Sequence, residues 1–140
     1  MPQRVEEVMT KGVTCVGRDA SLREVAQLMR DKKIGDVLVT DDKGKLCGIV
    51  TDRDVVVRAI AEGKDVQSTK VDDVCSGQLA TLAPSASIDD AVKMMREKAV
   101  RRVPVVRDDV PVGIVSIGDL AVEKDPQSAL ADISAASPNN

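Results

Sequence analysis

The sequence predicts an α+β fold in which two copies of one β-α-β-β-α unit pack by pseudo-two-fold symmetry. The main observation is an internal repeat: residues 5–43 align without a gap with residues 71–109, and residues 45–56 align with residues 110–121. Such a repeat defines the unit from which the fold is built. Because the chain has 140 residues, each half alone would have a marginal core, so we expect the halves to share one.

The first repeat is expected to begin with a strand at residues 13–16 and a helix at residues 21–33. Ser21 and Glu24 stand in the positions of a capping box, which starts the helix, and Gly35 is placed to end it. Apolar side chains in this segment recur at the helical spacing i, i+3, i+4, i+7. These side chains are Leu22, Val25, Ala26 and Met29.

A hairpin and a second helix complete each repeat. In the first repeat, strands at residues 36–40 and 45–50 flank a turn at 41–44, and a helix at 52–62 is followed by Gly63, which favours helix ends. The second repeat predicts the same order of elements. They are a short strand at 81–83, a helix after Ser87 with Asp90 in the capping-box position, strands at 102–106 and 110–115, and a last helix opened by Asp119.

These elements divide the chain into four parts. We expect a first repeat at residues 5–62, a linker of small and polar residues at 63–70, a second repeat at 71–124 and a C-terminal tail at 125–140. The N-terminus shows no signal-peptide segment, and no apolar run approaches the roughly 18 residues that a membrane span needs. A cytoplasmic protein is therefore expected.

Composition narrows the classes of function. The net charge is −3, so no global basic field favours nucleic acid or anionic membranes. The chain contains no His, Phe, Tyr or Trp, which removes imidazole catalysis, the commonest metal ligand and every aromatic stacking platform. These absences argue against an enzyme and against an RNA reader.

Three cysteines, Cys15, Cys47 and Cys75, are widely spaced and form no Cys-x-x-Cys pair. We interpret them as small buried apolar residues and expect no metal site. A thiol-based redox sensor that uses Cys15 or Cys47 is an alternative, and it would require a low thiol pKa and exposure.

The hairpin of each repeat ends in one motif: glycine, two β-branched residues, a hydroxyl residue and, three positions later, aspartate. The motif supplies Thr51 and Asp54 in the first repeat, and Ser116 and Asp119 in the second. A hydroxyl at this distance from a carboxylate also forms a capping box, so both pairs could simply start helices. Both pairs nevertheless lie where backbone N–H groups favour a phosphate and where a carboxylate can accept ribose hydroxyls.

These motifs resemble those of tandem cystathionine-β-synthase (CBS) domains, which form a Bateman module. The resemblance covers residues 5–122, and within the family the chain is similar to stand-alone actinobacterial members of the hypoxic response type. It implies two related clefts between the repeats that bind adenosine-containing ligands such as AMP, ADP or ATP.

The resemblance also assigns site residues position by position. Asp54 and Asp119 match the family's ribose-binding carboxylates, while Thr51 and Ser116 match hydroxyls near phosphate or ribose. Because the chain offers no ring for stacking, we expect aliphatic walls to hold the adenine. The candidate wall residues are Val13, Val37, Val39, Val103 and Val105.

The basic pair Arg101 and Arg102 matches the family's phosphate-binding cations. Adjacent residues of a strand point to opposite faces, so one of the two is expected to reach a cleft directly, and Arg102 is favoured. The first repeat has Gly35 and Asp36 at these positions and a different cation, Arg53, near its helix start.

The sequence thus predicts a non-catalytic regulatory module that binds an adenine nucleotide and senses stress or energy state. A homodimer is expected because the helix over residues 55–61 is apolar around roughly 240°, far more than the ~100° stripe that covers one sheet. The alternatives are a structural homodimer with empty clefts and the thiol-based sensor. No obligatory cofactor, nucleic-acid partner or membrane partner is expected, whereas a regulated protein partner is left open.

Overall fold

The computed structural model describes residues 4–77 and 80–124, and these form two compact units. The first-repeat unit comprises the described residues of Thr14–Leu79. The second-repeat unit comprises those of Met1–Val13 and Ala80–Asn140. Each unit contains helices and strands in the order of one repeat, which confirms the predicted α+β class.

The segment at residues 4–13 belongs to the second-repeat unit, although residues 5–13 were expected to open the first repeat. The N–H of Val5 donates to the Ala86 carbonyl at 2.9 Å, and the Val5 side chain is fully buried in that unit. Thr10 then exchanges two backbone hydrogen bonds with Ile114, at 2.8 and 3.0 Å. The segment therefore adds backbone pairing and one core side chain to the second repeat.

Three strands form the sheet of the first-repeat unit. Its elements are β1 (Cys15–Gly17), α1 (Leu22–Lys32), β2 (Asp36–Thr40), β3 (Leu46–Thr51), α2 (Asp52–Asp54), a π-helix (Val55–Ile60) and a 3₁₀ turn (Val71–Asp73). In the sheet, β2 is central, parallel to β1 and antiparallel to β3. The predicted strand, helix and hairpin are thus confirmed, with small shifts at their ends.

The start of α1 follows the prediction, and its end does not. Ser21 Oγ accepts a hydrogen bond from the Glu24 N–H at 3.1 Å, which confirms the N-cap. Within the described residues Glu24 returns no hydrogen bond, so the capping box is half formed. The helix ends at Lys33, which has a left-handed φ of 57°. Gly35 was expected to end the helix, and this expectation is wrong because Lys33 already adopts the terminating conformation.

The core of the first-repeat unit lies between its helices and its sheet. Two α1 side chains spaced by three residues, Leu22 and Val25, are fully buried, as helical periodicity predicts. They pack with alternate residues of the sheet and with the 3₁₀ turn. The full cluster is Leu22, Val25, Val37, Val39, Val50, Val55, Ala59, Val71 and Val74.

The second predicted helix is present but irregular. After α2 the chain continues as a π-helix, in which the Ala61 N–H donates to the Val56 carbonyl at 2.9 Å. Gly63, with a positive φ of 74°, follows it. One side of the π-helix is buried in the core through Val55 and Ala59, while three large side chains are exposed. These are Val56 (55% exposed), Val57 (43%) and Ile60 (58%).

The second-repeat unit contains a two-stranded antiparallel sheet and two helices. Its elements are α3 (Ile88–Lys98), β4 (Arg102–Arg107), β5 (Val110–Ser116) and α4 (Ile117–Lys124). Ser87 caps α3 by accepting from the Asp90 N–H at 2.9 Å. The strand expected at residues 81–83 is reduced to one parallel bridge between Leu82 and Val105. The tail prediction for residues 125–140 lies outside the described residues.

The second core is built like the first. The buried face of α3 packs against alternate residues of β4 and β5, against the N-terminal segment and against α4. Its members are Val5, Leu82, Ile88, Ala91, Met95, Val103, Val105, Val115 and Leu120. In the part of the chain that the structure describes, no helix has the length and apolarity needed to cross a membrane.

Candidate functional site

Each unit has a polar corner where its last strand gives way to a helix. In the first corner, the Thr51 N–H donates to Asp54 Oδ2 at 2.9 Å, and the Asp54 N–H donates to Thr51 Oγ1 at 3.1 Å. In the second corner, Ser116 and Asp119 form the same two bonds at 2.9 and 3.1 Å. The reciprocal capping boxes that the sequence allowed are therefore present in both units.

Capping leaves part of each carboxylate available for other contacts. Only Oδ2 of Asp54 and of Asp119 is used in the capping bonds, and an ionised carboxylate has about four lone-pair sites. Both side chains are half-buried, which strengthens any hydrogen bond that they accept from a ligand. The capping role is thus compatible with a second role for the same carboxylates.

The adjoining strand brings the basic pair to the second corner. Arg102 lies directly opposite Ser116 in the β4–β5 register, and the Arg101 carbonyl accepts the Ile117 N–H at 2.8 Å. Both arginines are exposed. The backbone of the structure therefore places Arg101 and Arg102 beside Ser116 and the start of the helix that carries Asp119.

The first corner has the same backbone but different charges. Asp36 lies opposite Thr51, and the Gly35 carbonyl accepts the Asp52 N–H at 2.9 Å. Arg53 is exposed in the first turn of α2. Gly35 and Asp36 thus stand where the second corner has arginines, and the main cation of the first corner comes from the helix.

The aliphatic residues that were expected to contact the adenine do not form exposed surface at either corner. The side chains of Val37, Val39, Val103 and Val105 are fully buried in the two cores. Val13 is half-buried. A fully buried side chain has no surface with which it could contact a ligand. In these conformations the four buried valines therefore form no wall for an adenine, and the walls stay a prediction.

Arg58 is a residue of the first corner that the sequence analysis missed. Its Nε lies 3.7 Å from Asp54 Oδ1, and its Nη1 donates to the Val74 carbonyl at 3.2 Å. The spacing from Asp54 is i, i+4, at which side chains on a helix meet. That spacing was the sequence signal for this contact.

The cysteines are less buried than expected. Cys15 is exposed, while Cys47 and Cys75 are half-buried, so their interpretation as buried core residues is wrong. The physical reason is position: Cys15 lies in the short first strand β1, and the other two lie beside the core without entering it. Within the described residues, no group of three or more His, Cys, Asp or Glu side chains could hold a metal ion.

We expect these thiols to react slowly. Desolvation by neighbouring atoms raises the pKa of Cys15, of Cys47 and of Cys75 above the ordinary thiol value. Because the thiolate is the nucleophile, alkylation by iodoacetamide at pH 7 should be slower than that of glutathione under the same conditions. Single Cys→Ser variants would assign the rates. A cysteine that reacts faster than glutathione would contradict this expectation and favour the thiol-sensor alternative.

The fold and the two corners define a pair of repeated α+β units. The family model of the CBS domain matches residues 5–60 and again residues 71–124. The chain therefore belongs to the CBS-domain family and carries two CBS domains in tandem.

Relatives of similar length support this assignment. The CBS domain-containing protein YhcV of Bacillus subtilis is 38% identical over 134 residues, which are 93% of this chain and 94% of the relative. Hypoxic response protein 1 of Mycobacterium tuberculosis is 36% identical over 115 residues, which are 82% of this chain and 80% of the relative.

Solved structures agree with the fold. A crystal structure of Hypoxic Response Protein I with two coordinated zinc ions matches with a TM-score of 0.77 and 36% identity, covering 84% of this chain and 96% of that one. CBSX2 in complex with AMP matches with a TM-score of 0.75 at 24% identity, covering 87% and 96% of the two chains. The second likeness concerns the fold alone.

Proposed function

We propose that this chain is a regulatory module that binds an adenine nucleotide of the AMP, ADP or ATP class, without catalysing a reaction. The observation that carries the proposal is the second corner, where Arg102 lies opposite Ser116 and Asp119 follows in the first turn of α4. Guanidinium groups bind phosphate, and a carboxylate accepts the paired hydroxyls of a ribose. One corner thus carries complementary groups for both polar parts of a nucleotide.

Electrostatics favour the second corner for the phosphate. The chain has a net charge of −3, so an anionic ligand needs local cations. The second corner has Arg101 just before its strand and Arg102 at the start of it, whereas the first has Gly35 and Asp36. The AMP complex of CBSX2, which shares this fold, is consistent with a nucleotide ligand.

We further propose that the module acts in the cytoplasm as a homodimer and reports energy state or stress through nucleotide occupancy. The name of Hypoxic response protein 1 is consistent with a stress-linked role. The exposed face of the π-helix, Val56, Val57 and Ile60, supports self-association, because soluble monomers rarely expose a contiguous apolar patch.

Thermal unfolding with added AMP, ADP or ATP tests the nucleotide proposal. A ligand at 100 times its Kd stabilises the folded state by about 2.7 kcal/mol if it binds only that state. Asp119→Asn should retain the fold, since Asn caps about as well as Asp, and should weaken binding about tenfold or more because charge-assisted hydrogen bonds are lost.

The matched control is Asp109→Asn, which makes the same change at an exposed turn position of the same unit. Its nucleotide affinity in titration calorimetry should equal that of the unmodified chain. An unchanged melting temperature with every adenosine ligand at millimolar concentration would rule out the proposal. That result would favour the structural dimer with empty clefts.

A further inference from the structure

The two corners differ at the residue one helical turn beyond the carboxylate. In the first corner this residue is Arg58, whose guanidinium lies between Asp54 Oδ1 at 3.7 Å and the Val74 carbonyl at 3.2 Å. In the second corner the aligned residue is Glu123. No described residue forms an ion pair with Asp119. Among the described residues, a cation therefore pairs with the non-capping oxygen of Asp54, and none pairs with Asp119.

We propose that Arg58 is a positioning residue that holds the non-capping oxygen of Asp54, Oδ1, and thereby makes the first corner the weaker ribose site. This inference rests on the proposed nucleotide binding and adds an order to it: the second corner fills first, and the first corner fills only when Arg58 turns away. The two corners of one chain then respond to different ligand concentrations.

The hydrogen bonds of Asp54 explain how Arg58 acts. Asp54 Oδ2 is committed to the Thr51 N–H, which leaves Oδ1 as the acceptor for a ribose hydroxyl. Arg58 approaches that same oxygen. A guanidinium is a planar fork of donors, so it can face the carboxylate while another nitrogen stays bonded to the Val74 carbonyl. A ribose must displace this group before it reaches Asp54.

The exposure of the two side chains sets the size of the effect. The Asp54 side chain is 17% exposed and that of Arg58 is 52% exposed. An ion pair with one partner half in water is weak. Arg58 should therefore reduce ribose affinity by a few-fold and not abolish it, which suits a graded response.

Adenosine separates competition for Asp54 from attraction of phosphate. Adenosine carries the ribose without charge, so a cation that competes for Asp54 should weaken its binding. A cation that serves as a phosphate contact should leave adenosine binding unchanged and strengthen AMP binding. Removing Arg58 thus has different consequences under the two roles.

The experiment uses the full chain with Asp119→Asn, so that the first corner is the remaining ribose site. Adding Arg58→Gln should raise the affinity for adenosine about three- to tenfold in titration calorimetry. The matched control is Arg23→Gln, which removes an exposed arginine of α1 in the same unit that makes no ion pair with Asp54. It should leave adenosine affinity unchanged. Equal melting temperatures would show that neither substitution acts through the fold.

Four results would overturn the inference. Unchanged or weaker adenosine binding with Arg58→Gln would show that Arg58 does not compete for Asp54. An equal gain with Arg23→Gln would show a general charge effect. If the chain without substitutions binds no adenosine ligand, the proposed function fails and this inference fails with it. If the chain binds AMP with an affinity that Arg58→Gln does not change, the inference alone is overturned.

Discussion

Gly113→Ala is expected to lower the free energy of unfolding by about 1–3 kcal/mol, the usual cost of adding a group to a filled space. A Cβ at this position would overlap Met9 Sδ and would lie 3.0 Å from the Thr10 carbonyl oxygen. Met9 can move, but Thr10 cannot move easily because two backbone hydrogen bonds join it to Ile114. Urea unfolding followed by circular dichroism measures the loss.

The first-repeat unit provides a related case. A Cβ on Gly48 would lie 2.8 Å from Cys75 Sγ and 3.1 Å from the Ser76 carbonyl oxygen, and Ser76 is held by two hydrogen bonds to Ile49. Gly48→Ala should therefore be destabilising as well. Met9 and Cys75 occupy aligned positions of the repeat. The duplicated glycine is thus explained by a sulfur-bearing side chain that packs on it in both units.

The control for both substitutions is Gly17→Ala. Gly17 is also a strand glycine, but a Cβ there would meet nothing within 4 Å. Its substitution should leave stability nearly unchanged. In a Met9→Ala background the cost of Gly113→Ala should fall and not vanish, because the contact with the Thr10 carbonyl remains. Equal stability of the Gly113 and Gly17 variants would contradict the packing argument.

Local sequence rules predicted the elements because the interactions that start them are local. Ser21 and Ser87 each cap a helix by accepting a hydrogen bond from the backbone N–H three residues further along the chain. Both helices were predicted to start at these positions. Strand β2 spans Asp36 to Thr40, as predicted, because a short run rich in β-branched residues between turn residues favours a strand over other secondary structure. The hydroxyl–carboxylate pairs also lie where the repeat placed them.

The features that the sequence did not reveal depend on contacts between distant segments. Residues 4–13 pack on the second repeat because Val5 completes that core, and no local pattern encodes this choice. Cys75 remains beside the core because its thiol rests on Gly48, which is far away in the sequence. Arg58 is intermediate: its i, i+4 spacing from Asp54 is local, but its anchor on the Val74 carbonyl is visible only in the structure.

Self-association rests on the exposed apolar face of the π-helix. Val55 and Ala59 are committed to the core, which leaves Val56 and Ile60 in solvent at 55% and 58% exposure. A stable dimer buries about 800 Å² per partner, so this face needs further apolar surface from the same protomer. The second-repeat unit, taken by itself, has an apolar groove of about 370 Å³ between α3 and α4. Val92, Met95, Arg96, Val100, Ile117, Leu120 and Ala121 line it.

Ile60→Glu is therefore expected to convert a homodimer into a monomer at micromolar concentration in light scattering. The substitution removes no core contact because Ile60 is mostly exposed, so the fold should persist in circular dichroism. Burying an unpaired carboxylate at an interface costs free energy, and a two-fold interface would bury one such carboxylate from each protomer. Val110→Glu is the matched control, an apolar residue of the hairpin that is 41% exposed. It should leave the dimer intact, whereas an unsubstituted chain that is already monomeric at this concentration would show that the exposed apolar face is not a dimer interface.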